Sequence, residues 1–198
     1  MRFILFIFLS FTIFACNQTP KSLPYLGKTA VSGQKPVIPP FTFTDQMGRK
    51  VTNQDLKGKV YVADFFFTSC PTICPMQTAN MLKIYNQVPD PDLMFLSHSI
   101  DPRHDSVPVL KKYADELGIN HDRWRFITGP KEEVYKIAED YMSTAMEDKD
   151  EPGGYIHSGY LLLVDRDGHL RAYCDGTNAD SINVFIPKIK LLLGESHQ

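Results

Sequence analysis

The stretch that most limits what this chain can become lies between residues 60 and 81, VYVADFFFTSCPTICPMQTANM. β-Formers run from Val60 to Phe67, and Asp64 alone interrupts an otherwise apolar stretch. A run apolar on both faces belongs in the middle of a sheet covered on both sides. It ends at Thr68-Ser69, and two cysteines follow, each succeeded by proline: Cys70-Pro71 and Cys74-Pro75. Proline biases the residue before it away from the helical region and is favoured at the first position of a helix. The pattern therefore predicts a helix whose first residue is Pro75, with Cys74 capping it and Cys70 on an extended loop leaving the strand. Free N–H groups and the positive dipole end of a helix stabilise an anion. Cys74 is thus expected to ionise more readily than a free thiol.

The chain opens with MRFILFIFLSFTIFAC, one arginine before an apolar run that ends at Phe14. The run is shorter than the roughly 20 residues a membrane span needs, and it fits a secretory signal peptide. Its close, Ile13-Phe14-Ala15-Cys16, is similar to a bacterial lipoprotein signal, which implies cleavage and a lipid on Cys16. An uncleaved short anchor with Cys16 buried is the alternative; both readings put the domain outside the cytoplasm, on the periplasmic side of a membrane. Residues 17–40 carry Pro20, Pro24, Pro36, Pro39 and Pro40 without periodicity, and read as an extended tether. Residues 41–198 are enough for one domain with a sizeable core. The net charge of −2 and the lack of a basic stripe exclude nucleic acid as a partner. Of four cysteines, Cys16 goes to the lipid, leaving Cys70 and Cys74 as a working pair and Cys174 as a small, buried bystander.

Along the domain, residues 41–44 and 49–52 flank a turn and read as a hairpin. Strands follow at 60–67, 93–100 and 124–127, with helices at about 75–88, 106–117 (closed by Gly118) and 131–141. Residues 143–156 read as a polar loop. Strands at 160–164 and 169–173 form a second hairpin around Asp165-Arg166-Asp167-Gly168. A last helix covers about 181–193, kinked by Pro187 or starting later because of it. Strands alternating with helices give an α/β fold, layered helix–sheet–helix.

Strand, cysteine loop and helix start together resemble the thioredoxin-like active-site arrangement, one residue wider than C-x-x-C. Redox members of that fold keep a cis-proline before the strand that faces the cysteines; here the slot reads Ile156-His157-Ser158. A histidine there suggests a third ligand beside two thiolates, a set that suits Cu(I) or zinc. The motifs Thr68-Ser69-Cys70-Pro71-Thr72-Ile73-Cys74-Pro75, Ser99-Ile100-Asp101-Pro102-Arg103-His104-Asp105 and His157 ahead of residues 160–168 carry the resemblance further. The chain resembles the SCO/SenC family of copper-binding proteins of cytochrome oxidase assembly, over nearly the whole domain. That resemblance implies a thioredoxin-like fold with a central mixed sheet, and copper, Cu(I) or Cu(II), on Cys70, Cys74 and His157. It also implies delivery to the CuA centre of a haem–copper oxidase, through the oxidase's copper-bearing subunit or another copper protein. Ile156 is a departure, since members often carry an acidic residue beside the histidine.

The other classes are an enzyme and a zinc-stabilised interaction domain. The enzyme is a thiol–disulfide oxidoreductase reducing the cysteines of that centre or another extracytoplasmic partner, with Cys70 attacking and an extracytoplasmic thiol reductant restoring it. A purely structural disulfide would add little to a domain of this size. Side chains four apart on a regular helix stand too far apart for a disulfide. With Cys70 on a loop the pair can be bridged when oxidised and bind metal when reduced. Asp64 sits where thioredoxins keep a buried, proton-transferring aspartate; it is either that, with a raised pKa, or an acid held by hydrogen bonds near the sheet end. Asp101 and Asp105 read as a turn and a helix cap, with Asp101 also a candidate support of the ligands. His98, His104, His121, His169 and His197 read as structural or solvated, and the seven scattered methionines as packing.

Overall fold

The computed structural model describes residues 22–27 and 35–195. The signal stretch, Cys16 and His197 lie outside the described residues. Among the described residues no helix is long and apolar enough to cross a membrane.

The elements run β1 (Thr42–Asp45), β2 (Lys50–Thr52), α1 (Asn53–Leu56), β3 (Val60–Phe66), α2 (Cys74–Gln87) and β4 (Leu93–Ser99). Then come α3 (Val107–Leu117), β5 (Trp124–Thr128), α4 (Lys131–Asp140), β6 (Ala145–Glu147), β7 (Tyr155–His157), β8 (Tyr160–Val164), β9 (Leu170–Asp175) and α5 (Ala179–Leu193). Seven strands form one mixed sheet in the order β2-β1-β5-β4-β3-β8-β9. β3, β4 and β5 are parallel, whereas β8 runs antiparallel to β3. Every residue of β3 and of β4 is buried, as a strand apolar on both faces must be.

Alternation along β3 divides the core. Phe66 packs against Phe126 and against Tyr113 of α3, whose hydroxyl meets Thr78 of α2. On the other face Phe65 stacks on His98 and meets Tyr141 at the end of α4. Helices therefore cover both faces, and the C-terminal ends of β3, β4 and β5 define one pole. The cysteine loop and the loop carrying Asp101 and Asp105 both emerge there.

The elements read from the sequence need correction in several places. α2 begins one residue earlier than expected: Ile73 occupies the cap position at φ −85°, ψ −30°, Cys74 is the first helical residue and Pro75 the second. The reason is that none of the first four N–H groups of a helix has a partner within the helix, so proline loses nothing at the second position either. Residues 143–156 are no featureless loop, because β6 pairs antiparallel with β7 from Ala145↔His157 to Glu147↔Tyr155. α5 begins at Ala179, capped by Asn178, and runs through Pro187. The stretch read as a free tether is laid down on the domain where it is described: Leu26 N–H donates to Leu170 O at 2.8 Å and Ile38 N–H to Gly168 O at 2.9 Å.

Asp105 is not a helix cap either; Ser106 holds that position. Its fully buried carboxylate accepts from Thr68 N–H at 3.1 Å, Thr68 Oγ1 at 2.5 Å and Ser99 Oγ at 2.5 Å. It thereby ties Thr68, two residues beyond β3, to Ser99 at the end of β4. Asp105→Ala leaves three donors unpaired and should cost roughly 2–4 kcal/mol in urea unfolding. A loss under about 0.5 kcal/mol would mean that this clamp does not hold the loop.

Candidate metal centre

The site is built where β3 gives out. Cys70 N–H donates to Phe67 O at 3.2 Å, a tight turn that swings Cys70 back over the sheet end. Cys74 is carried in from the opposite side by the first turn of α2. His157 arrives on β7, which is held by its pairing with β6. Glu147 of β6 is in turn gripped by Lys131 at 2.6 Å and Arg103 at 2.5 Å. The ring of Phe67 supports the imidazole edge-on, with centroids 5.9 Å apart, and packs on Tyr155. Gly153, at φ +89°, closes the loop above: a Cβ there would lie 2.9 Å from the Phe67 ring and 3.0 Å from Pro71.

These elements bring one ligand atom each from Cys70, Cys74 and His157 within 4.8 Å of one another. Both cysteines are free thiols. Cys74 Sγ lies 3.2 Å from His157 Nε2. The other ring nitrogen, Nδ1, is 3.3 Å from Ser158 O. A donor at Nδ1 leaves the Nε2 lone pair facing the thiol, the orientation a metal ligand needs. Burial holds the His157 pKa below its usual value, so the imidazole stays neutral. Two soft sulfurs and a neutral imidazole converging on one point make a donor set fitted to Cu(I).

The acidities of the two thiols reverse the sequence expectation. Burial pushes the Cys74 thiol well up, aided by the hydrogen bond it gives Cys70 and by the charges of Cys70 and Asp64. Cys70 is lowered: burial works against it, but hydrogen bonds from the Cys74 thiol, the Thr72 and Cys74 backbone and the Thr72 hydroxyl outweigh that. The helix N–H groups do stabilise a thiolate, yet they serve the cysteine outside the helix, because Cys74 itself is enclosed by the core.

Asp64 lies beneath this pair, 2% exposed, with Oδ1 lacking any hydrogen-bond partner. Burial raises its pKa to about 7, against a smaller opposing effect from a bond with Ser97. Asp101 stands further out. Its carboxylate is 2.5 Å from His104 Nδ1 through Oδ2, while Oδ1 is buried without a hydrogen-bond partner. Cys174 lies on β9, outside the cluster and only partly buried where the sequence suggested full burial, because it packs against the margin of the core; desolvation still pushes its thiol up to about 12. His98 is wholly enclosed by Phe65, Phe41, Phe43 and Tyr141, and burial lowers it to about 4. His104 and His121 pair with Asp101 and Asp115, and His169 bonds Pro36 O. Phe67 and Gly153 escaped the sequence reading as parts of the site, and Asp105 was read as a helix cap. Asp105 had a signal in its D-P-x-x-D setting; Phe67 and Gly153 had none.

A profile of the SCO1/SenC family matches residues 29–193. A SCO1/SenC family lipoprotein from Bacillus anthracis is 33% identical, with a TM-score of 0.73, over 83% of this chain and 99% of that one. BsSco, described as having a disulfide switch and belonging to the Sco family of cytochrome c oxidase assembly proteins, is 30% identical. Its TM-score is 0.69, over 85% and 97% of the two chains. ScoI of Arabidopsis thaliana with copper bound is 26% identical, with a TM-score of 0.63, over 78% and 98%. The chain spans 49% and 42% of the length of the human and Arabidopsis mitochondrial relatives it matches.

The raised pKa of Asp64 has a sign that can be checked. Its folded value of about 7 stands above the ordinary carboxylate value, so the native state holds this proton more tightly than the unfolded chain. The stability it contributes is complete below about pH 4 and is lost as pH rises through about 7, on the order of 4 kcal/mol in all. Asp64→Asn should remove that slope, so the stability difference between variant and parent grows in the variant's favour from pH 4 to pH 8. Parallel urea-derived profiles would show instead that Asp64 is ionised throughout.

Proposed function

The chain belongs to the SCO1/SenC family, and from that premise we propose that it is a copper chaperone. Copper is its cargo, held by Cys70, Cys74 and His157 and handed to an oxidase subunit that assembles a CuA centre. The observation that carries this reading is the convergence of three soft or borderline ligand atoms within 4.8 Å. Among the described residues no other group of histidines, cysteines or carboxylates converges in this way. Cys70 provides the sulfur most ready to ionise, Cys74 the enclosed one whose proton a bound metal would displace, and His157 a neutral nitrogen aimed by Ser158. All three are less than a tenth exposed, which keeps water from a bound ion. Release to a partner then proceeds ligand by ligand, from the open side at Cys70. The site stands outside the cytoplasm in this reading, on a chain anchored to the membrane by lipid at Cys16.

A second reading rests on Asp64 and on the unequal thiols. Cys70, as thiolate, attacks a partner's disulfide and forms a mixed disulfide while one partner sulfur leaves. Cys74 then attacks Cys70, its proton accepted by ionised Asp64, and the partner departs as a dithiol. Two electrons pass to the partner, and an extracytoplasmic thiol reductant restores the pair. A zinc-stabilised interaction domain is the weakest reading, since a structural zinc takes four protein ligands and the cluster offers three.

Anaerobic titration of the reduced protein with Cu(I), against a competing chelator, tests the chaperone. One-to-one binding weakened at least about tenfold in His157→Ala is expected. Binding indifferent to His157 would overturn the three-ligand site and leave the oxidoreductase, whose mark would be a Cys70–Cys74 couple turning over a partner disulfide.

A further inference from the structure

The N-terminal segments are built into the fold at the pole away from the cysteines. Arg171 of β9 is 3% exposed and donates from Nη2 to Leu23 O at 2.6 Å and from Nε to Pro24 O at 3.1 Å. The same guanidinium bonds Asp165 at 2.8 Å and Glu195 at 3.2 Å, so the strap is wired to the β8–β9 turn and the end of α5. Leu23 and Ile38 are core residues at 5% and 4% exposure. Tyr25 is sandwiched by Arg171 and Lys35, at 4.2 and 4.0 Å, and meets the His169 ring edge-on. These contacts also cover β9, an edge strand that would otherwise offer unpaired backbone.

Their position follows from the sheet. The β8–β9 turn bonds the chain just before β3 begins, Gly58 N–H to Arg166 O at 3.0 Å. Cys70 lies beyond the other end of β3. Seven residues of strand separate the two poles by about 23 Å. From Ser22 back to Cys16 is six residues, about 20 Å at full stretch. An unattached chain up to residue 41 would reach about 85 Å.

We infer that residues 22–27 and 35–40 form a docked strap that holds the strand-start pole at the membrane and turns the cysteine pole outward. The partner this arrangement fits carries its metal-receiving ligands on a domain standing clear of the bilayer, rather than within it. The inference rests on the lipid at Cys16 proposed above. Tyr25 and Val37, 39% and 54% exposed at the strap pole, suit the membrane interface.

The test uses the full, lipid-modified chain on phosphatidylcholine–phosphatidylglycerol vesicles, with Cys70, Cys74 and Cys174 changed to alanine. One probe cysteine is placed at each pole, Met76→Cys beside the site and Asp167→Cys in the β8–β9 turn. Rates of reaction with a bulky polyethylene-glycol maleimide are compared on vesicles and in detergent. Met76→Cys should keep its rate within about twofold, while Asp167→Cys slows about tenfold and regains its rate when Leu23→Asn with Tyr25→Ala frees the strap. Equal slowing at both poles, or slowing that survives release of the strap, overturns the inference. Hydrogen exchange of the same full chain is the second readout. Slow exchange at Leu26 and Ile38 in the parent, with Ile38 made fast by Leu26→Pro, supports the strap, and fast exchange in the parent overturns it. Failure of the chain to float with vesicles is seen before any labelling and overturns the Cys16 reading itself.

Discussion

The metal pole depends on how β3 is brought to a stop. A strand buried on both faces cannot simply fray at its end, because each backbone donor there must find a partner. Asp105 supplies one to Thr68 N–H and its hydroxyl, and reaches Ser99 on the neighbouring strand. With that junction held, Phe67 stays in the core and the chain turns at once into Cys70. Phe67 then becomes the platform on which His157 and Tyr155 rest. One buried carboxylate thus sets the starting point of the cysteine loop and, through Phe67, the position of the imidazole.

The two thiols are made unequal by enclosure. Both stand near the start of α2, yet Cys74 is packed beneath it and Cys70 lies at its mouth, so the hydrogen bonds that favour a thiolate converge on Cys70. Asp64 adds a carboxyl that is neutral in acid and ionised above about pH 7. A metal ion and a partner's disulfide make the same first demand on such a pair, one available thiolate and a second close behind. That shared demand is why one geometry accommodates both readings, and why His157, which only a metal requires, separates them.

Much of this was readable in residues. The apolar run through β3, the helix after Cys74, both hairpins and the alternation of strands with helices follow from periodicity and turn chemistry. The pairing of β6 with β7 was not readable, because Ala145–Glu147 and Tyr155–His157 are only three residues each and largely half-buried or exposed, too short to show an alternation. Their order comes from Glu147 held by Lys131 and Arg103 across the chain. The docked strap was equally hidden, since proline-rich sequence looks alike whether it is free or laid on a surface. Arg171 supplied no local sign that its partners would be carbonyl groups some 148 residues away.

By itself, the sequence determined which elements form and which side chains can do chemistry: two cysteines beside a helix start, one histidine before a strand, one aspartate inside a buried run. These depend on interactions among near neighbours, and near neighbours are written next to one another. Only the tertiary structure decided that Cys70, not Cys74, is the more acidic thiol, that Asp105 clamps rather than caps, and that the chain's beginning is fastened opposite the site. Each of those outcomes turns on burial and on partners far away along the chain, and neither is a property of any local stretch.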